Sequence, residues 1–364
     1  MRLPAYQQLS KEQDEINNLP LDGSYLVVGP PGTGKSVMAL YRAQLYKRLG
    51  RPVRLLVHSR LLSQYTERAT DELEIDAVVQ TFHSWWWGFY HRVYNKPPPQ
   101  TRPYEFDWQT ILVEVAQDPP PADSIPYLII DEGQDLPKEF YVVAQHLAEN
   151  MTVFADDNQI VTPNNATIEE IRRYGRFGGS THELTRNYRN TKQVAALASH
   201  FQQHENLTGA ALPPTRSGPT PVAFTHQTLN DAVQQIARFE RANSDLEVGV
   251  FVPTERLQTQ FLNRLEGKTT NAVQAYFGGK GKDAAQVDFT APGIKVICFP
   301  SVKGLEFDAV FIPQLQTTTG TGPAIEMTLY VLFSRARTHL FLAHEGDGAS
   351  AVMDLLPREL VEWT

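Results

Sequence analysis

Eight residues near the start of the chain, Gly29-Pro30-Pro31-Gly32-Thr33-Gly34-Lys35-Ser36, have the types and spacing of a phosphate cradle. Glycines let backbone N–H groups converge on phosphate oxygens, and a helix opening at the end of the loop adds its positive dipole end. Lys35 is placed to reach the outer phosphates of a nucleotide and Ser36 to bind Mg2+. Further along, Asp131-Glu132 supplies a carboxylate for the Mg2+ hydration shell (Asp131) beside one that can activate an attacking water (Glu132). Arg189, in Asn187-Tyr188-Arg189, and Arg335, in Phe333-Ser334-Arg335, carry the charge that hydrolysis of a γ-phosphate needs. A positioned guanidinium there is worth about 10³–10⁵-fold, or about 4–7 kcal/mol of barrier. Spacing alone leaves open the plainer reading of two surface salt-bridge arginines.

These residues need strands and helices to hold them. Tyr25–Val28 is a short apolar run that reads as a buried strand, followed by the Gly-rich loop and a helix through about Leu49. Val53–Val57, Ala77–Gln80, Tyr127–Ile130 and Thr152–Phe154 read as further strands, spaced by helical patterns. Val222–Phe224, Glu247–Phe251, Ile294–Phe299, Ala309–Ile312 and Leu340–Ala343 repeat the style. Alternation of this kind predicts an α/β fold in which mostly parallel sheets carry helices on both faces. Ligands of such sheets gather at the carboxyl ends of the strands, and the phosphate loop and the acidic pair each follow one. A boundary is expected near Ser180–Thr185, dividing the chain into 1–184 and 185–364. Gly278-Gly279-Lys280-Gly281 has no helix behind it and reads as a loop, not a second phosphate site.

The bulk numbers set limits. A chain of 364 residues holds about two ordinary domains. With 41% hydrophobic and 20% charged residues it has the composition of a globular protein. The lone cysteine, Cys298, rules out an internal disulfide and sits in an apolar run, as a structural thiol would. The opening residues lack the apolar core of a signal peptide, and no stretch reaches the length of a membrane span, so a cytoplasmic protein without a membrane partner is expected. The net charge of −8 runs against nucleic-acid binding as a bulk property, although a local basic stripe is all that phosphate contacts need.

Taken in order, the motifs resemble those of the UvrD/Rep/PcrA-like branch of superfamily 1 helicases. They are Leu9-Ser10-Lys11-Glu12-Gln13, the phosphate loop, Thr81-Phe82-His83-Ser84, Asp131-Glu132-Gly133-Gln134-Asp135, Ala155-Asp156-Asp157-Asn158-Gln159, Asn187-Tyr188-Arg189-Asn190, Val302-Lys303-Gly304-Leu305-Glu306-Phe307-Asp308 and Phe333-Ser334-Arg335-Ala336-Arg337. The resemblance implies two RecA-like P-loop NTPase domains with ATP in the cleft between them and a nucleic-acid strand crossing both. By the same resemblance Gln13 reads the adenine edge, Tyr188 stacks on the adenine ring, Glu306 holds the ribose and Gln159 senses the γ-phosphate. Arg189 and Arg335 become arginine fingers, and Ser59, Arg60, Thr81, His83 and Ser301 become strand contacts. Ser10 and Gln13 also have the spacing of a helix capping box. In the run Trp85-Trp86-Trp87, with Phe89 and Tyr90, most rings are expected in the core, and one is a candidate base-stacking platform.

Departures from the family pattern bear on coupling. Ile160-Val161-Thr162-Pro163 stands where the family has a base-stacking aromatic, and Pro300 stands where it has a histidine. The stretches between Ser84 and Asp131 and between Arg189 and Lys303 are short for the family. They leave a small helical insertion near 90–117 and a short one near 267–292 in place of large accessory domains. The implied function is an ATP- and Mg2+-dependent DNA helicase or translocase on single-stranded DNA, 3′ to 5′, with RNA not excluded. The alternative is an ATP-gated regulatory subunit of a repair or anti-phage defence complex, whose partner would be a protein such as a nuclease.

Overall fold

The computed structural model describes residues 3–57, 60–75, 78–102, 105–121, 127–156, 165–202, 212–277, 287–318, 322–346 and 350–364. They divide after Thr185 into two compact units.

In the first unit the elements run α1 (Lys11–Asn17), β1 (Tyr25–Val28), α2 (Lys35–Arg48), β2 (Val53–Val57), α3 (Arg60–Glu72), β3 (Val79–Thr81), α4 (Phe82–Tyr94), β4 (Gln100–Arg102), β5 (Glu105–Phe106), α5 (Trp108–Gln117), β6 (Tyr127–Ile130), α6 (Lys138–Leu147), β7 (Met151–Ala155), α7 (Ile168–Tyr174) and β8 (Thr181–Glu183). Six strands form one sheet in the order β3-β2-β6-β7-β1-β8, every pair parallel. Strands β1 and β7 are buried along their whole length, which explains why their sequences are unbroken apolar runs and do not alternate. Crossing order puts β7 between β1 and β6, so the loops after these strands open side by side. Capping boxes at Ser10/Gln13 and Thr167/Glu170 fix the starts of α1 and α7.

The second unit runs α8 (Lys192–His200), β9 (Val222–His226), α9 (Leu229–Ala242), β10 (Glu247–Val252), α10 (Glu255–Leu265), β11 (Val273–Tyr276), β12 (Gly293–Cys298), β13 (Phe307–Ile312), α11 (Pro323–Phe333), β14 (Ala336–Glu345) and β15 (Glu362–Trp363). Its seven strands are ordered β11-β12-β10-β13-β14-β9-β15, again all parallel. Apolar side chains of α9 and α10, among them Val233, Ile236 and Phe261, pack on Val248, Val250, Val296 and Phe311 of that sheet. The fold is therefore α/β, with two RecA-like parallel sheets flanked by helices.

Some elements differ from the sequence reading. The stretch in which the boundary is expected, Ser180–Thr185, contains the edge strand β8 beside β1, which the sequence does not mark as a strand. Val273–Tyr276, inside the short insertion expected near 267–292, is the edge strand β11 beside β12. Both are partly polar and partly exposed, as edge strands are, so they lack the apolar run that marks a central strand. The strand expected at Ala77–Gln80 is Val79–Thr81, and the region after α4 contains the hairpin β4–β5 as well as a helix. The Gly278–Gly281 loop lies outside the described residues. No helix among those described is long and apolar enough to cross a membrane. Cys298 is half-buried, donates to Gln258 Oε1 (3.2 Å), and has its thiol pushed up to about 11 by burial, as an unreactive structural cysteine would.

Candidate active site

Gly34, with φ of 93°, takes the left-handed conformation that starts α2, and Lys35 is the first helical residue. A Cβ on Gly29 would lie 2.4 Å from Leu184 O, and one on Gly34 would lie 2.5 Å from Gln13 Nε2. Backbone crowding leaves room only for glycine at 29, and the left-handed φ requires it at 34. Thr33 Oγ1 donates to Pro30 O (2.9 Å), closing the turn. Lys35 Nζ donates to Gly29 O (2.6 Å) and Pro30 O (3.1 Å), and lies 3.4 Å from Asp156 Oδ2. Its ammonium is thus held at the mouth of the loop.

At the carboxyl end of β6, Asp131 and Glu132 are both buried. Asp131 is pushed up to about 7 by burial and by the charge of Glu132, against the pull of a hydrogen bond from Ser36 and the charge of Lys35. Glu132 has φ 55° and ψ 48°, a left-handed conformation that a side-chain-bearing residue rarely adopts. Gln134 holds it there: Nε2 donates to Glu132 Oε2 (2.6 Å), while Oε1 accepts from Asp156 N (2.9 Å). Tyr141 adds a hydrogen bond to Gly133 O (2.6 Å). Lys35, Asp156, Gln134, Glu132, Asp131 and Ser36 therefore form a continuous ring across the ends of β1, β7 and β6. Ser36 and Asp131 present oxygen donors with excess negative charge, the donor chemistry a hard cation such as Mg2+ takes.

Gln13 spends both ends of its amide on the protein, accepting from Ser10 N (3.0 Å) and donating to Thr33 O (2.9 Å). It ties α1 to the phosphate loop as well as capping the helix. Ser59 and Gln159 lie outside the described residues, as does the side chain of Arg60. Thr81 ends β3, and His83 is exposed at the start of α4, stacked on Phe106 with ring centroids 5.5 Å apart. His83, Phe106 and Trp108 line a cavity of about 580 Å3 with Asp135 and Lys138.

Within the second unit three motifs meet. Asn187 Oδ1 accepts from the backbone N–H of Arg189 (2.9 Å) and Asn190 (3.1 Å), a turn that leaves Tyr188 exposed at 47%. Asn190 Nδ2 donates to Ser334 O (3.1 Å) and Ala336 O (2.6 Å). Arg189 Nε donates to Glu306 Oε2 at 2.5 Å, and its Nη1 is buried with no hydrogen-bond partner among the described residues. Arg335 is differently placed. At 1% exposure it donates to Val331 O (2.9 Å) and Ser334 Oγ (3.0 Å), and it reaches Leu305 O (3.5 Å). It therefore closes the carboxyl end of α11, where a cation is favoured. Arg335→Ala is accordingly expected to lower stability by about 2–5 kcal/mol, read from denaturant unfolding, whatever it does to turnover. Ser301 ends a short 3-10 turn, half-buried beside exposed Pro300.

Asp156 and Gln134 are site residues that the sequence alone does not mark as such. The signal for Asp156 was its place directly after a strand, which Asp131 shares.

A phosphate loop, an acidic pair and parallel sheets define a P-loop NTPase. The AAA domain family matches residues 13–164, and the viral superfamily 1 RNA helicase core domain matches residues 112–274. These matches support a superfamily 1 helicase, a class that hydrolyses nucleoside triphosphates. Among solved structures, the C-terminal domain of a possible DNA helicase from Lactobacillus plantarum WCFS1 is similar at 19% identity, over 48% of this chain and 98% of that one, with a TM-score of 0.37. No curated protein matches the chain in sequence.

Proposed function

We propose that the chain is an ATP-driven motor of the UvrD/Rep/PcrA-like branch, moving 3′ to 5′ on single-stranded DNA. The observation that carries the reading is the buried Nη1 of Arg189, without a hydrogen-bond partner among the described residues, in a chain that also holds a complete phosphate-loop ring. A buried guanidinium nitrogen without an acceptor is costly unless an anion completes it. A small-molecule kinase has no use for it, whereas a γ-phosphate acceptor accounts for it. In this reading Lys35 holds the outer phosphates, Ser36 and Asp131 hold Mg2+, and Glu132 takes a proton from the attacking water. Mg2+, when bound, neutralises charge on the β- and γ-phosphate oxygens. Arg189 stabilises the transferred phosphoryl group, Tyr188 stacks on the adenine, and Glu306 exchanges its partner Arg189 for the ribose. Arg335 contributes its charge from inside the unit or, with rearrangement, directly. Thr81, His83 and Ser301 are the proposed strand contacts.

The test compares ATPase rate without nucleic acid and with single-stranded DNA, RNA and duplexes carrying 3′ or 5′ tails, alongside strand displacement. Stimulation by single strands with displacement from 3′-tailed duplexes is expected. No stimulation by any nucleic acid would sink the motor and favour the ATP-gated subunit, a reading to which the net charge of −8 lends support. In the same assay Lys35→Ala is expected to weaken ATP binding about 10- to 100-fold, the worth of a charge-assisted contact to phosphate.

A further inference from the structure

Helix α4 (Phe82–Tyr94) has two unlike faces. Trp85, Trp86, Phe89 and Tyr90 are buried, and each meets other rings of the first unit's core, stacked or tilted. His83, Ser84, Trp87, Gly88, His91 and Arg92 face outward. Trp87 is 46% exposed and, among the described residues, joins no ring pair. Residues three and four apart on a helix are neighbours, so Trp87 stands between His83 and His91 and Gly88 lies a turn from Arg92.

Gly88 is the unexplained residue. Glycine inside a helix is unfavourable relative to alanine. Here a Cβ would meet nothing within 4 Å, so packing does not require its absence. What the glycine provides is a bare strip of helix beside an exposed indole. The charge of this face is the second observation. In a chain of net charge −8, the thirteen residues of α4 contain no carboxylate, while His83, His91 and Arg92 all lie on the open side. Its neighbours are polar, so the indole is not part of an apolar patch of the kind that docks a protein. A flat π-face with a cation and hydrogen-bonding groups alongside suits a base and its phosphate.

We propose that the outer face of α4 is a base-stacking track for single-stranded nucleic acid, with Trp87 as the platform, Gly88 as the clearance for the stacked base and Arg92 as a phosphate contact. This rests on the nucleic-acid reading above and continues it beyond Thr81 and His83. The track supplies a stacking aromatic in a chain whose sequence lacks one after Gln159.

The experiment is equilibrium binding of fluorescein-labelled oligothymidylate to the full chain, followed by anisotropy, with thermal melting of each variant. Trp87→Ala is expected to weaken binding by about 5- to 150-fold at an unchanged melting midpoint, and Trp87→Phe to restore most of it. Gly88→Leu is expected to raise the midpoint, as a better helix former, yet to weaken binding. Arg92→Gln is expected to flatten the log–log salt dependence by about 0.7. Wild-type affinity in both Trp87→Ala and Gly88→Leu overturns the track while leaving the motor reading intact. Failure of the native chain to bind the oligonucleotide at all overturns both. Should Trp87→Ala melt early, Gly88→Leu alone decides, because it strengthens the helix.

Discussion

Arg189→Ala is expected to lower kcat for ATP hydrolysis by about 10³–10⁵-fold with ATP affinity unchanged. The geometry separates this from a structural role. Arg189 Nε is committed to Glu306 at 2.5 Å, but Nη1 is buried and has no acceptor among the described residues. If the residue served only the ion pair, its forked head would still leave that nitrogen unsatisfied, a cost that natural selection of a shorter lysine would have removed. The ion pair itself is largely buried, with side chains 15% and 13% exposed, so its attraction is offset by the cost of desolvating both charges and the pair alone is weak evidence for a structural role. Glu306→Gln is the control for turnover at saturating ATP, since it breaks the same ion pair and weakens the proposed ribose contact but removes no charge from the transition state. A structural pair predicts similar, modest losses in both variants. A finger predicts that only the arginine variants lose turnover, and that Arg189→Lys recovers little because an ammonium cannot reproduce the fork. Multiple-turnover ATPase measured with equilibrium binding of a fluorescent ATP analogue separates the cases. Equal loss of nucleotide affinity and turnover in Arg189→Ala would withdraw the assignment.

The parallel sheets were legible because central strands such as β1 and β7 are buried on both faces and must be apolar throughout. Strands β8 and β11 were not, because an edge strand keeps one side in water and mixes polar residues into a short run. The order of the phosphate loop and the acidic pair was legible because each must follow a strand directly. The partner of Lys35 was not: Asp156 and Asp157 stand side by side, and only the path of the chain turns Asp156 onto the ammonium. Arg335 makes the opposite point. The family resemblance makes it the equal of Arg189, yet burial at the end of α11 turns its Nε to Val331 O and its Nη2 to Ser334 Oγ. The triplet Trp85-Trp86-Trp87 shows helical periodicity at work, since 85, 86, 89 and 90 share a face from which 87 is turned away.

Glu132→Gln is expected to reduce kcat by about 10²–10⁴-fold, the usual worth of a positioned general base, while raising thermal stability in magnesium-free buffer above neutral pH. The opposite signs follow from the site. Glu132 and Asp131 are adjacent buried carboxylates, and the charge of Glu132 is one reason that Asp131 is pushed up to about 7. An acid held above its ordinary range in the folded state contributes stability at low pH and loses it as pH rises toward the shifted value, so above neutrality the pair is repulsive. The neutral amide removes that repulsion and keeps the shape. Its carbonyl can still accept from Gln134 Nε2, now at 2.6 Å from Glu132 Oε2, so the left-handed backbone at 132 remains pinned. Strain and like-charge crowding retained at one residue are what a catalytic position shows, and a purely structural glutamate has no reason to keep either. If the glutamine variant melted lower and still turned over ATP at the native rate, Glu132 would be part of the scaffold and the base would have to be sought elsewhere in the ring, with Asp156 the next carboxylate to substitute.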